Sequence, residues 1–206
     1  MHRDENSVEA QRKRKAREAF RGFLQQLLDD PVYRIAYDKA FKALITAEQV
    51  VERLQRNLAQ SISAARVVLE NIHENAARLP NGSRVYRDSN GVVRREDGSV
   101  VDDTLVATIV WTGSEPSFEE MQSAVAYLDG LLQQQQQLNA YQNETLGPAR
   151  DRLTDEDHPP SLEELDEVLE GIETLAPESV AQDRERHNQA ELQPGDPSKI
   201  SVPKLN

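Results

Sequence analysis

The sequence predicts a mainly α-helical protein: an elongated, coiled-coil-like helical hairpin with a small β-meander at its tip and a disordered C-terminal tail. Three observations carry that expectation. Apolar residues recur at heptad spacing through one long segment, and a β-branched stretch punctuated by turn dipeptides interrupts the helical text. The hydrophobic share of 37%, with 5% aromatic and 29% charged, is lean for a large globular core but sufficient for apolar stripes.

Residues 1–30 read as a basic N-terminal helix. Phe20, Phe23, Leu24, Leu27 and Leu28 share one face at helical spacing, whereas the preceding turns are dominated by Arg12, Lys13, Arg14, Lys15 and Arg17. Asp29, Asp30 and Pro31 end this helix and start the next, because Asp caps well and Pro fits a first helical turn.

The second helix carries the clearest signal. Stepping by seven from Tyr37 meets Leu44, Val51, Leu58, Ala65, Ile72 and Leu79, all apolar. Ala40, Ala47, Leu54 and Val68 fill the half-heptad positions, with Ser61 and Asn75 as polar interruptions that could set register. A helix from Pro31 to Leu79 would be about 70 Å long. It forms the first arm of a hairpin spanning 31–146.

Pro80, Asn81 and Gly82 end that arm. Between 83 and about 111 a β insert is expected, because Asn90-Gly91 and Asp97-Gly98 are dipeptides that accept positive φ and β-branched pairs flank each. Thr104 to Trp111 fits a helix by spacing and a strand by composition. The return arm starts at Ser117, where Ser117 and Glu120 match a capping box, and runs to Leu146 with Phe118, Met121, Val125, Leu128, Leu131, Leu132 and Leu138 as its stripe.

Residues 147–160 read as a linker ending in His158-Pro159-Pro160. Ser161 and Glu164 then open an acidic amphipathic helix over 161–176, apolar at Leu162, Leu165, Val168, Leu169, Ile172 and Leu175. The composition of 177–206 is that of a disordered tail.

Charge is unevenly spread over a protein of net charge −12: residues 1–60 hold 12 Lys/Arg against 9 Asp/Glu, and residues 114–206 hold 6 against 20. The C-terminal acids could therefore dock on the bases at 12–17, or each end could meet its own partner. The absence of Cys excludes disulfides and thiolate metal sites. No run approaches the roughly 20 apolar residues of a membrane span, and a cytoplasmic protein without membrane contact is expected.

No constellation predicts catalysis or a cofactor. His2, His73, His158 and His187 fall in four separate segments. Asp151, Asp155 and Asp157 resemble the start of a calcium loop, yet Leu162 stands where its terminal Glu belongs. Asn6, Ala10 and Arg14 have part of the spacing of a basic-zipper contact region, but Pro31 breaks the register that a following zipper would need.

The expected function is thus non-enzymatic: a protein-binding or assembly protein acting through its heptad face, β tip and acidic helix. The residues expected to bind a protein partner are Leu162, Leu165, Leu169, Ile172, Tyr86 and Trp111. So long a stripe also predicts a homo-oligomer, because one return helix cannot cover it. Two alternatives use charge instead. The first is an acidic neutralising factor, of immunity, antitoxin or DNA-mimic type, that covers a basic partner. The second is a nucleic-acid-associated coiled coil acting through Arg12, Lys13, Arg14, Lys15 and Arg17.

Overall fold

A computed structural model describes residues 29–155 and 157–192, together with Lys15, Arg21, Gly22 and Gln25. The protein is mainly helical with one small three-stranded antiparallel sheet. It divides into two compact units, Met1–Leu54 with Leu138–Asn206, and Gln55–Gln137. Helix α1 (Pro31–Asn75) contributes residues to both, as does α3 (Phe118–Tyr141).

The apolar stripe of α1 is buried at Ala40, Leu44, Ala47, Val51, Leu58 and Ala65, as heptad spacing predicts, and Tyr33, Val50 and Ile62 join it. The burial is achieved within a single molecule, so the stripe gives no reason of its own to expect a second subunit. Beyond Ala65 the half-heptad positions leave the seam, while Ile72 still packs against the core. Val68 is 53% exposed, and Asn75 is exposed, its Nδ2 donating to the Asn71 carbonyl at 2.8 Å. A straight helix drifts by about 20° per heptad, which carries the later half-heptad positions off the seam. Ser61 and Asn75 therefore do not form a register-setting pair.

The helix also stops at Asn75, four residues before Leu79. Ala77–Arg78 instead forms β1, which pairs with β2 (Arg84–Arg87), and β2 pairs with β3 (Val93–Arg95). Leu79, a heptad position by spacing, is buried in the sheet's core. Both sheet faces are covered. Val85 and Val93 pack with Ala77, Leu79, Val101 and Ile109 on one side, while Tyr86 packs with Ala76, Phe118 and Met121 on the other.

Three successive turns share one geometry. Gly82 N–H donates to the Leu79 carbonyl, Gly91 N–H to Asp88 and Gly98 N–H to Arg95, each at 2.8–2.9 Å, and each hairpin closes one residue further on. These are three-residue loops with a bulged glycine in the left-handed region, φ 83–84°. Asn90 and Asp97 do not take positive φ as expected; the glycine alone does. The expected β insert thus begins at Ala77, and Thr104 to Trp111 yields only the short helix α2 (Asp103–Val106), whose N-cap Asp102 accepts the Thr104 N–H.

The Ser117 and Glu120 capping box is present and opens α3. The return helix does not end at Leu146. A π-helical turn, Gln142–Leu146, leads directly into α4 (Gly147–Thr154), so the expected linker over 147–160 is helical in its first half. Pro148 explains the wide turn. Proline lacks an N–H and its ring would meet the carbonyl four residues back, and an inserted π turn relieves both problems without ending the helix.

Helix α5 (Leu162–Thr174) carries its predicted capping box. Residues 178–192, expected to belong to the tail, form α6 (Glu178–Leu192), anchored by the fully buried Val180. Residues 193–206 of that tail lie outside the described residues. Three tyrosine hydroxyls tie the first unit together: Tyr33 donates to the Pro160 carbonyl (3.0 Å), Tyr37 to Leu153 (2.9 Å) and Tyr141 to Ile172 (2.6 Å).

Candidate functional site

The residues expected to bind a partner are mostly used by the fold. Leu165, Leu169 and Ile172 are buried in the first unit, and Leu162 alone of that set is exposed. Tyr86 is wholly buried, its hydroxyl without a hydrogen bond, and burial with the nearby Glu96 charge pushes it up to about 12. Trp111 is half-buried, with the Arg87 guanidinium 4.1 Å above its ring. Of the basic set, Lys15 is helical and exposed; Arg12, Lys13, Arg14 and Arg17, like the predicted face from Phe20 to Leu28, lie outside the described residues. Two acids of α5 meet cations within the first unit, Glu164 bonding Arg152 at 3.1 Å and Glu173 lying 3.8 Å from Arg184.

A groove of about 980 Å³ lies within the second unit. One wall is the end of α1, with Val68, Asn71, Ile72 and Asn75; the other is the Gly113–Pro116 loop and the first turns of α3, with Glu119, Glu120, Ser123 and Ala124. Local sequence explains the acidic wall. Glu115 folds back so that its carboxylate accepts the Thr112 N–H, the Thr112 hydroxyl (2.8 Å) and the Gly113 N–H (2.9 Å). Glu120 completes the capping box by accepting Ser117 N–H at 2.7 Å, and Glu119 accepts Ser89 N–H at 2.9 Å, fastening the β2–β3 turn to α3.

No protein family, curated protein or solved structure matches this sequence.

The backbone N–H of Thr112, followed by its hydroxyl, holds the Glu115 carboxyl down at about 2. The Ser89 and Ser117 N–H groups likewise lower Glu119 and Glu120. A general acid needs a carboxyl raised toward neutrality, so these three are fixed negative charges instead. None of the described residues lining the groove is Lys or Arg. Among the described residues no group of three or more His, Asp or Glu is placed to hold a metal ion, and no helix is long and apolar enough to cross a membrane.

Sequence alone does not disclose this site, although two of its features are visible there. The Ser117 and Glu120 pairing reads as a helix start, and Val68 as a seam position. Glu115 has no signal, because its role depends on a loop conformation that composition does not encode.

Proposed function

We propose that this protein is a non-enzymatic protein-binding module whose second unit holds a basic, amphipathic segment of a partner protein in the groove between α1 and α3. The supporting observation is the triad of Glu115, Glu119 and Glu120, kept ionised around the exposed Val68 and the half-buried Ile72. An occupant with cationic groups flanking an apolar residue would match both. The volume is near the upper end for small-molecule sites, but the groove opens along one side, which suits inserted side chains better than an enclosed ligand. In this reading the heptad-built hairpin carries the groove. A groove lined by acids favours a basic occupant, as in the acidic neutralising alternative, over binding through α5, whose Leu165, Leu169 and Ile172 are buried.

The test is anisotropy of a labelled amphipathic Lys/Leu helical peptide titrated with the intact protein at two salt concentrations. The Glu115→Gln, Glu119→Gln, Glu120→Gln triple variant keeps acceptor oxygens, and Gln is accepted in a capping box. Exposed pairs contribute about 0–1 kcal/mol each, so the triple change should weaken binding by up to about a hundredfold. Salt-insensitive binding, equal binding by the triple variant, or preference for a DNA duplex over the peptide would overturn the reading.

A further inference from the structure

Each hairpin turn of the second unit places Asn or Asp immediately before its glycine: Asn81-Gly82, Asn90-Gly91 and Asp97-Gly98. An asparagine before glycine is open to attack on its Cγ by the next backbone nitrogen, because glycine has no side chain to hinder the approach. In the first and third turns the Oδ1 atom is already engaged. Ser83 N–H donates to Asn81 Oδ1 at 3.0 Å, and Ser99 N–H to Asp97 Oδ1 at 2.9 Å. In the middle turn the equivalent N–H, that of Val92, donates instead to Asp88 Oδ1 at 2.8 Å. Asp88 is buried and its other oxygen is held by Arg94 Nε at 2.8 Å, so it keeps that donor. Asn90 is left exposed: its backbone N–H donates to Asp88 Oδ1 at 3.0 Å, and its side-chain amide has no hydrogen bond among the described residues.

We propose that Asn90 is a site of spontaneous deamidation, and that the fold directs the reaction to Asn90 over Asn81. The Gly91 nitrogen leaves its bond to the Asp88 carbonyl, gives its proton to solvent base and attacks Asn90 Cγ. A bond forms between Gly91 N and Asn90 Cγ, the bond from Cγ to Nδ2 breaks, and ammonia departs with a proton from water. Water then opens the succinimide at either carbonyl, leaving aspartate or isoaspartate. No oxidation state changes. The product adds a carboxylate to the turn, and the isoaspartyl form inserts a backbone atom into the loop closed by Asp88 N–H and the Val92 carbonyl. That turn is the one Glu119 fastens to α3 through Ser89.

The experiment is peptide mass mapping of the full-length protein during incubation at mildly alkaline pH, in buffer and in concentrated urea. In the folded protein Asn90 should convert about fivefold faster than Asn81, the factor that one net hydrogen bond supplies. In urea, where both dipeptides lose their turns, the two rates should approach each other. Asn90→Gln should remove the early release of ammonia from the folded protein. Equal or faster conversion of Asn81 when folded, no conversion of Asn90, or an unchanged rate ratio in urea would each overturn the proposal.

Discussion

The Tyr141 hydroxyl donates to the Ile172 carbonyl at 2.6 Å, and Ile172 lies in the last turn of α5. A helix leaves its last four carbonyls without intrahelical donors, so this phenol supplies one of them. Tyr37 does the same for Leu153 at the end of α4. The relationship explains why aromatic residues on helical stripes retain a hydroxyl here where phenylalanine would fill similar space.

Replacing Tyr141 by Phe leaves the Ile172 carbonyl buried without that donor, and should cost about 1–3 kcal/mol in urea denaturation. Burial pushes the Tyr141 hydroxyl from 10.0 up to about 12. A raised value means the native state favours the protonated form, so its stabilisation is complete below pH 10 and lost as pH rises through 12. Tyr141→Phe should flatten that alkaline loss; an unchanged alkaline profile would show that the hydroxyl is not responsible.

A truncation ending at Pro160 should lose the first unit. Leu165, Leu169 and Ile172 are buried, and fully burying such side chains contributes about 1.5–3 kcal/mol each. Together that is about 5–9 kcal/mol, comparable with the whole stability of a typical domain. Hydrogen exchange should then show amides of residues 31–54 unprotected, while emission of the single tryptophan, Trp111, stays as in the intact protein. Retained protection at 31–54 would mean that α5 is dispensable.

Acid should weaken the second unit by way of Glu115. Its carboxyl is lowered from 4.5 to about 2 by the Thr112 N–H and hydroxyl, so the stabilisation is present above pH 4.5 and lost as pH falls toward 2. Glu115→Gln should make denaturation midpoints less dependent on pH across that window. A steeper dependence in the variant would contradict the assignment.

The middle hairpin separates two residues that look equivalent in sequence. Gly91 has φ 83°, whereas Asn90 does not adopt positive φ. Gly91→Ala should cost about 1–2 kcal/mol. Asn90→Ala should stay within about 0.5 kcal/mol, as for a surface change that breaks no contact. Thermal melts followed by Trp111 emission would test the pair, and equal effects would refute the turn geometry.

Local signals are legible wherever a residue's role depends on its near neighbours in sequence. Both capping boxes, the stripe from Ala40 to Ala65, the apolar face of α3 and the turn positions at Gly91 and Gly98 follow from helical period, capping by Ser and Glu, and glycine's access to positive φ. Tertiary structure decided the rest. Asn75 ends α1 because Ala77 and Arg78 find strand partners at Val85 and Arg84, a choice that the apolar Leu79 conceals. Gly147-Pro148 continues a helix through a π turn where the sequence reads as a stop. Leu165 and Ile172 are core because the rest of the first unit covers them, and an amphipathic face looks the same whether its cover comes from the same molecule or from another protein. The groove acids belong to this second class, since a carboxylate becomes a fixed charge only when the folded loop brings backbone N–H groups to it.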